Sequence, residues 1–256
     1  MRHFFIDKYS GIDSYVHRID PRVKILGVFA LILSIILTPA QAFLSFVLFF
    51  SLIAALIVLS KIPVGFIFKR SLVVIPFVLM VTAFIPFLKE GEIAGGYSLG
   101  SLRLTVTYSG LMVFWNVMIK SYLCVLSMIV LMTSTRFSDF LKAMERLKVP
   151  RIFTMILSFM YRYIFVFEDE LMKMRQAKES RSVGGPKHVH IKALAHMLGV
   201  LFIRAYERGE KIYLAMCSRG FTGEVHTISN FQIKRSDLYF IVIIAGVLTG
   251  IRLIGI

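Results

Sequence analysis

LMVFWNVMIKSYLCVLSMIVLM (Leu111–Met132) decides the fold class. It runs for 22 residues with one full charge, Lys120. At 1.5 Å per residue such a helix is about 33 Å long, enough to cross the hydrocarbon of a bilayer. A soluble helix of that length would carry a charged face, and this stretch has none. Four further runs share its character. They are VKILGVFALILSIIL (Val23–Leu37), AFLSFVLFFSLIAALIVL (Ala42–Leu59), SLVVIPFVLMVTAFIPFL (Ser71–Leu88) and LYFIVIIAGVLTGIRLIGI (Leu238–Ile256). The whole chain is 57% hydrophobic. The expected fold is therefore an all-α integral membrane protein with about five transmembrane helices. Asp7, Asp13 and Asp20 make the N-terminus polar, so no cleaved signal peptide is read there.

The formal net charge of +15 is concentrated rather than spread. Residues 136–235 hold 18 Lys and Arg against 9 Asp and Glu. Nucleic-acid binding is one source of such basicity, but a membrane protein collects Lys and Arg in its cytoplasmic loops. On that rule the His17–Lys24 segment, Lys61–Arg70 and the segment 136–235 lie inside. The Pro39 turn and Leu88–Ser101, which carries Lys89, Glu90 and Glu92 among glycines, lie outside. The chain then divides into a four-span N-terminal membrane domain (1–135, N-terminus inside), a cytoplasmic helical region (136–235) and a C-terminal transmembrane helix (236–256). No nucleic-acid partner is expected. Cys124 and Cys217 support neither a disulfide framework nor a Cys-type metal site.

The cytoplasmic segment reads as three helices. FSDFLKAMERLK (Phe137–Lys148) has Ser138 as its expected N-cap, and Val149-Pro150 breaks it. A second helix spans about Arg151–Ser182, stopped by Gly184-Gly185-Pro186. A third spans about Ile191–Arg219, with Gly220 placed to end it. Each long helix begins apolar and turns strongly charged, so neither is a good membrane span, and both suit the membrane surface. Both end on one short pattern, Ala-x-x-Ser-Arg-small: Ala177, Ser180, Arg181 and Ser182 in the first, Ala215, Ser218, Arg219 and Gly220 in the second. A basic residue at a helix C-terminus complements the macrodipole, worth about 0.3–1 kcal/mol. That effect asks only for charge. It does not ask for Ala four residues earlier or for small residues on both sides. Small flanks let a helix tip enter a groove, where the guanidinium can fork onto carboxylates or carbonyls. Two such tips suggest two equivalent grooves, as a dimer would offer.

HRIDPRVKIL (His17–Leu26), LKVPRIFTMILSFMYRYIFVFEDEL (Leu147–Leu171) and the paired Arg motifs together resemble the transmembrane (T) component of energy-coupling factor importers. These are ATP-binding-cassette transporters for vitamins and transition metals. RYIFVFEDE (Arg162–Glu170) and RAYERGEKIYLAMCSRGFTGE (Arg204–Glu224) are most similar to the cobalt and nickel branch. The resemblance covers nearly the whole chain. It implies a subunit of the prokaryotic plasma membrane that joins a membrane substrate-binding partner to two ATPase subunits. It further implies that Ala177, Ser180, Arg181 and Ser182 contact one ATPase, and that Ala215, Ser218, Arg219 and Gly220 contact the other. The family pattern has Ala before each Arg and Gly after it. Here Ser180 and Ser218 precede, and Ser182 follows the first, so small size is kept.

Other functions fit the residues less well. An intramembrane enzyme needs polar catalytic groups within spans. The spans offer Asn116, Lys120, Ser121, Thr133–Thr135 and Arg252, with no mid-membrane His or carboxylate. There is no Walker A sequence, so ATP hydrolysis is assigned to partner subunits and this chain is not read as an enzyme. A self-contained carrier would show internal repeats; Pro76 and Pro86 can break the third span, but no second half mirrors it. His188, His190, His196 and His226 are read as part of a solvated basic segment, so no metal site and no cofactor are expected. The remaining alternative within the family is a vitamin importer's T component.

Overall fold

The computed structural model describes residues 14–88, 93–99, 102–181, 187–223 and 235–254. Its elements, in chain order, are α1 (Tyr15–Arg18), α2 (Pro21–Leu37), α3 (Phe43–Leu59), α4 (Val64–Leu72), α5 (Ile75–Thr82) and α6 (Ile85–Leu88). They continue with β1 (Ile93–Leu99), β2 (Leu102–Thr107), α7 (Tyr108–Ser134), α8 (Phe137–Arg146), α9 (Arg151–Arg181), α10 (Lys187–Cys217) and α11 (Arg235–Ile254). The chain divides into two compact units. One comprises Phe4–Phe140 with Phe231–Ile256, and the body of the other is Leu141–Asn230.

In the first unit α7 is the axis, packed by α2, α3, α4, α5 and α6. The buried residues keep helical spacing: Phe46, Phe49, Ile53 and Ile57 on α3, Leu123, Leu126 and Val130 on α7, and Ile244, Leu248 and Ile251 on α11. Around this core the helices turn large apolar side chains outward, among them Phe29, Phe50, Phe77 and Trp115. In water such a surface would aggregate, whereas in lipid it faces a matching solvent. The protein is thus an all-α membrane protein, with one small antiparallel hairpin, β1 paired with β2, inserted before α7.

Prolines divide the third apolar run. Pro76 lies in the first turn of α5 and Pro86 in α6, and each lacks the N–H that would continue the preceding turn. The run therefore becomes three helical pieces. Gly110 lets α7 start close to the last of them: a Cβ there would meet the Pro86 Cα at 2.8 Å. Lys120 also finds a local reason. Its Nζ donates to the carbonyls of Ile36 (2.9 Å) and Thr38 (2.7 Å) at the end of α2. Those carbonyls belong to the helix end, where intrahelical partners run out and a cation is favoured.

Between residues 136 and 220 three expectations shift. Ser138 is not the N-cap of α8, because the helix already includes Phe137. The carbonyl of Arg136 accepts from the N–H groups of Asp139 (3.0 Å) and Phe140 (2.9 Å), so the cap position is Arg136. The end of α8 is closed by Lys148 at φ +67°, with Val149 N–H returning to Met144 O at 3.3 Å just before Pro150. α10 begins at Lys187, a turn earlier than Ile191, and its helical part ends at Cys217 rather than Arg219. Gly184-Gly185-Pro186, expected to stop α9, lie outside the described residues.

Among the described residues four helical stretches are long and apolar enough to cross a membrane: Val64–Thr82, Tyr108–Ser134, His188–Cys217 and Ser236–Leu253. α3 is apolar but shorter, at 17 residues, as is α2. His188–Cys217 qualifies on its N-terminal half. Its second half holds Arg204, Glu207, Arg208, Glu210 and Lys211 within eight residues. Those charges make the C-terminal end of α10 a poor occupant of hydrocarbon.

Candidate functional site

α9 and α10 are the same length, 31 residues each, and they pack on one another. Glu170 of α9 forms an ion pair with Arg204 of α10. Beside the pair a groove of about 490 Å³ is lined by Phe167 and Glu170 from α9 and by Arg204, Arg208, Lys211 and Ala215 from α10. The direction of the pair follows from chain length. If the helices were parallel, the end of α9 and the start of α10 would lie about 40 Å apart along the pair. The six peptide steps from Arg181 to Lys187 reach only about 20 Å. The helices are therefore antiparallel, and their C-terminal ends leave the crossing in opposite directions.

That geometry separates the two arginines. Arg181 ends α9, about 16 Å beyond Glu170, and Arg219 follows α10, about 20 Å beyond Arg204 on the other side. The 38-residue offset that superposes the motifs takes Glu170 to Arg208 and Val166 to Arg204. The crossing is thus nearly self-equivalent, and the tips are disposed on either side of it much as a two-fold axis would place them. Lys173 and Lys211 correspond under the same offset.

The motifs also agree in detail. Ser180 Oγ donates to the Ala177 carbonyl at 3.1 Å, and Ser218 Oγ donates to the Ala215 carbonyl at 3.0 Å. Each serine thus folds back onto the alanine of its own motif and satisfies a carbonyl near the helix end. Ala177, Ser180, Arg181, Ala215, Ser218, Arg219 and Gly220 are all solvent-exposed. Ser182 lies outside the described residues. At α10, Gly220 sits at φ +81°, its N–H donates to Cys217 O at 3.0 Å, and Phe221 N–H donates to Met216 O at 3.1 Å. This pair of bonds is a Schellman closure, which needs a left-handed residue and so favours glycine. Met216 and Phe221, the two apolar positions that normally meet in this closure, are half-buried while their neighbours are exposed.

The arrangement can offer two exposed guanidinium groups at the ends of two long helices. Among the described residues no group of three or more His, Cys, Asp and Glu is placed to hold a metal ion; His226 lies outside them. The Glu170–Arg204 pair and the antiparallel register were not visible in the sequence, because both depend on which faces of two amphipathic helices meet.

The sequence is similar to those of known proteins. The family model described as cobalt transport protein, CbiQ, matches residues 13–228. A Staphylococcus aureus protein named energy-coupling factor transporter transmembrane protein EcfT is 30% identical over 241 residues, covering 90% of this chain and 88% of its own. The Listeria innocua protein of the same name is 29% identical over 239 residues, covering 87% and 86%. An uncharacterized protein of Methanocaldococcus jannaschii is 28% identical over 243 residues, covering 93% and 82%. This chain therefore belongs to the CbiQ family of cobalt transport proteins, the transmembrane (T) components of energy-coupling factor transporters.

Proposed function

We propose that this chain couples ATP hydrolysis in two partner ATPase subunits to movement of a membrane substrate-binding partner, in an importer of cobalt or nickel ions. The observation that carries the reading is the pair of matching motifs at the exposed ends of the antiparallel α9–α10 pair. Arg181, with Ala177, Ser180 and Ser182, enters a groove on one ATPase. Arg219, with Ala215, Ser218 and Gly220, enters the equivalent groove on the other. The chain itself supplies no catalytic group and holds no cofactor. The apolar faces of α9 and α10 and of the spans hold the substrate-binding partner. The match to a family described by cobalt transport favours the metal branch over a vitamin importer.

The matching topology has five spans, with 1–135 forming four of them, 136–235 in the cytoplasm and 236–256 leaving the membrane outward. The third span is the proline-broken α4–α6 run, and α10 stays inside because of its charged half. A cysteine at Gly95, in the hairpin, should react with an impermeant thiol reagent from outside, and one at His188 should not; labelling at 188 in intact cells would end this topology. The partnership itself is tested by purifying the tagged subunit from its host in detergent. ATPase subunits and a second membrane protein should come with it, and uptake of radioactive cobalt or nickel should depend on all of them. A subunit that purifies alone and leaves metal uptake unchanged when deleted would overturn the function.

A further inference from the structure

The docking reading leaves the His17–Leu26 segment without a role, and the structure shows that its lysine is not a surface charge. Lys24 is 4% exposed. Its Nζ donates to the carbonyl of Ser134, the last residue of α7, at 2.9 Å, and to the carbonyl of His17 in α1 at 3.3 Å. The carboxylates of Asp139, Asp20 and Asp237 act on its charge. Asp20 caps α2 by accepting from Arg22 N–H at 2.9 Å, and its own N–H donates to Asp237 Oδ1 at 3.0 Å. Asp237, in the first turn of α11, is 1% exposed. Asp139 lies in the first turn of α8. One ammonium group therefore ties the end of α7 to α1, beside the Asp20–Asp237 link between the starts of α2 and α11, and α8 begins three residues beyond its Ser134 partner.

We propose that Lys24 is a positioning residue for coupling, fixing the root of α8 to the membrane unit so that displacement of the coupling helices is transmitted. The proposal rests on the coupling function above. Two residues, Thr135 and Arg136, separate α7 from α8, and the chain then continues through Pro150 into α9. If that junction were free to swivel, motion received at Arg181 and Arg219 would be absorbed there. Buried ionic clusters seldom add net stability over an apolar replacement of similar shape, but breaking one partner leaves a stranded charge. What such a cluster supplies is a defined geometry, since its members are satisfied in only one arrangement. The fold could have filled this site with an apolar side chain at the same depth. The use of a lysine with three carboxylates from three separate elements points to a junction that must not slip.

The test uses the complete transporter, co-expressed and reconstituted, with Lys24→Met and Asp139→Asn, both close in shape to the natural residues. Capture of ATPase subunits, ATP hydrolysis and metal uptake are measured together. The expected result is capture and hydrolysis close to those of the unaltered transporter, with ions imported per ATP lowered by about tenfold, within the range that residues coupling two sites produce. Equal import per ATP in the variants would overturn the proposal. So would a parallel fall in capture, hydrolysis and uptake, which marks a residue that only stabilises the fold. If Lys24→Met does not reach the membrane, Asp139→Asn decides by the same ratio. An unaltered chain that captures no ATPase would instead refute the coupling function, so the two failures are distinguishable.

Discussion

α7 and α10 are both long, apolar helices, and they are used in opposite ways. α7 has 27 residues and buries nine of them, Leu123, Leu126, Ile129 and Val130 among them, against neighbours in its own unit. α10 has 31 residues, and none of its described side chains is buried. Its Leu198, Phe202 and Ile203 stand 60%, 73% and 57% exposed. α7 is thus held by the chain's own core. α10 presents apolar surface suited to cover by lipid or by another protein. Within one chain, one helix is packed in its own unit's core and the other is not.

The sharpest way to break this contrast is to truncate the same residue type on each side of it. Phe49→Ala, in the α3 wall against α7, should destabilise the detergent-purified subunit by about 3–5 kcal/mol. Phe202→Ala on α10 should change it by no more than about 0.5 kcal/mol. Thermal unfolding of the isolated subunit measures both, and equal losses would mean that α10 is internally packed after all. A smaller effect comes from Gly110→Val, which forces a side chain against the Pro86 backbone 2.8 Å away. It should cost about 1–3 kcal/mol, read as a lower melting temperature of the subunit. Gly220→Ala strains the φ +81° closure of α10 by about 1 kcal/mol and should show as faster hydrogen exchange confined to Ser218–Phe221. A similarly small change is expected for Arg204→Gln. It removes a half-exposed ion pair worth at most about 1 kcal/mol and should loosen the α9–α10 crossing while leaving the membrane unit's melting unchanged.

Much of the membrane unit was legible because hydrophobic runs and prolines act locally. The runs at Ser71–Leu88 and Leu111–Met132 became helices, and Pro76 and Pro86 broke the first of them. The hairpin was read only as a polar outer loop, since the glycines of β1 hid it, although LRLTVT (Leu102–Thr107) alternates in the strand manner. Ser138 misled because a good capping residue counts only where the helix starts, and the chain turns one residue before Phe137. The burial of Lys24 was less legible. The charge rule counts it as cytoplasmic, and its bond to Ser134, 110 positions away, is one that no local pattern reveals. A charge just inside an apolar run was the available signal. The Arg motifs were legible as a repeat, since repetition needs no structure to be seen. Their opposed directions were not, because these follow from the helix crossing and the short connection.

The account stands most directly on capture of ATPase subunits by the Arg181→Ala, Arg219→Ala and double variants, with metal uptake measured alongside. If each arginine enters a groove and pairs with a carboxylate there, a single truncation leaves that partner unpaired and costs roughly 2–5 kcal/mol. That weakens each contact by about thirtyfold or more. Single variants should keep partial assembly through the remaining tip, and the double variant should lose capture and uptake together as bivalency disappears. Lysine at either position should restore little, since it keeps the charge without the planar fork. A double alanine variant that captures ATPases and transports like the unaltered protein would contradict the account and leave both arginines as helix-end charges alone.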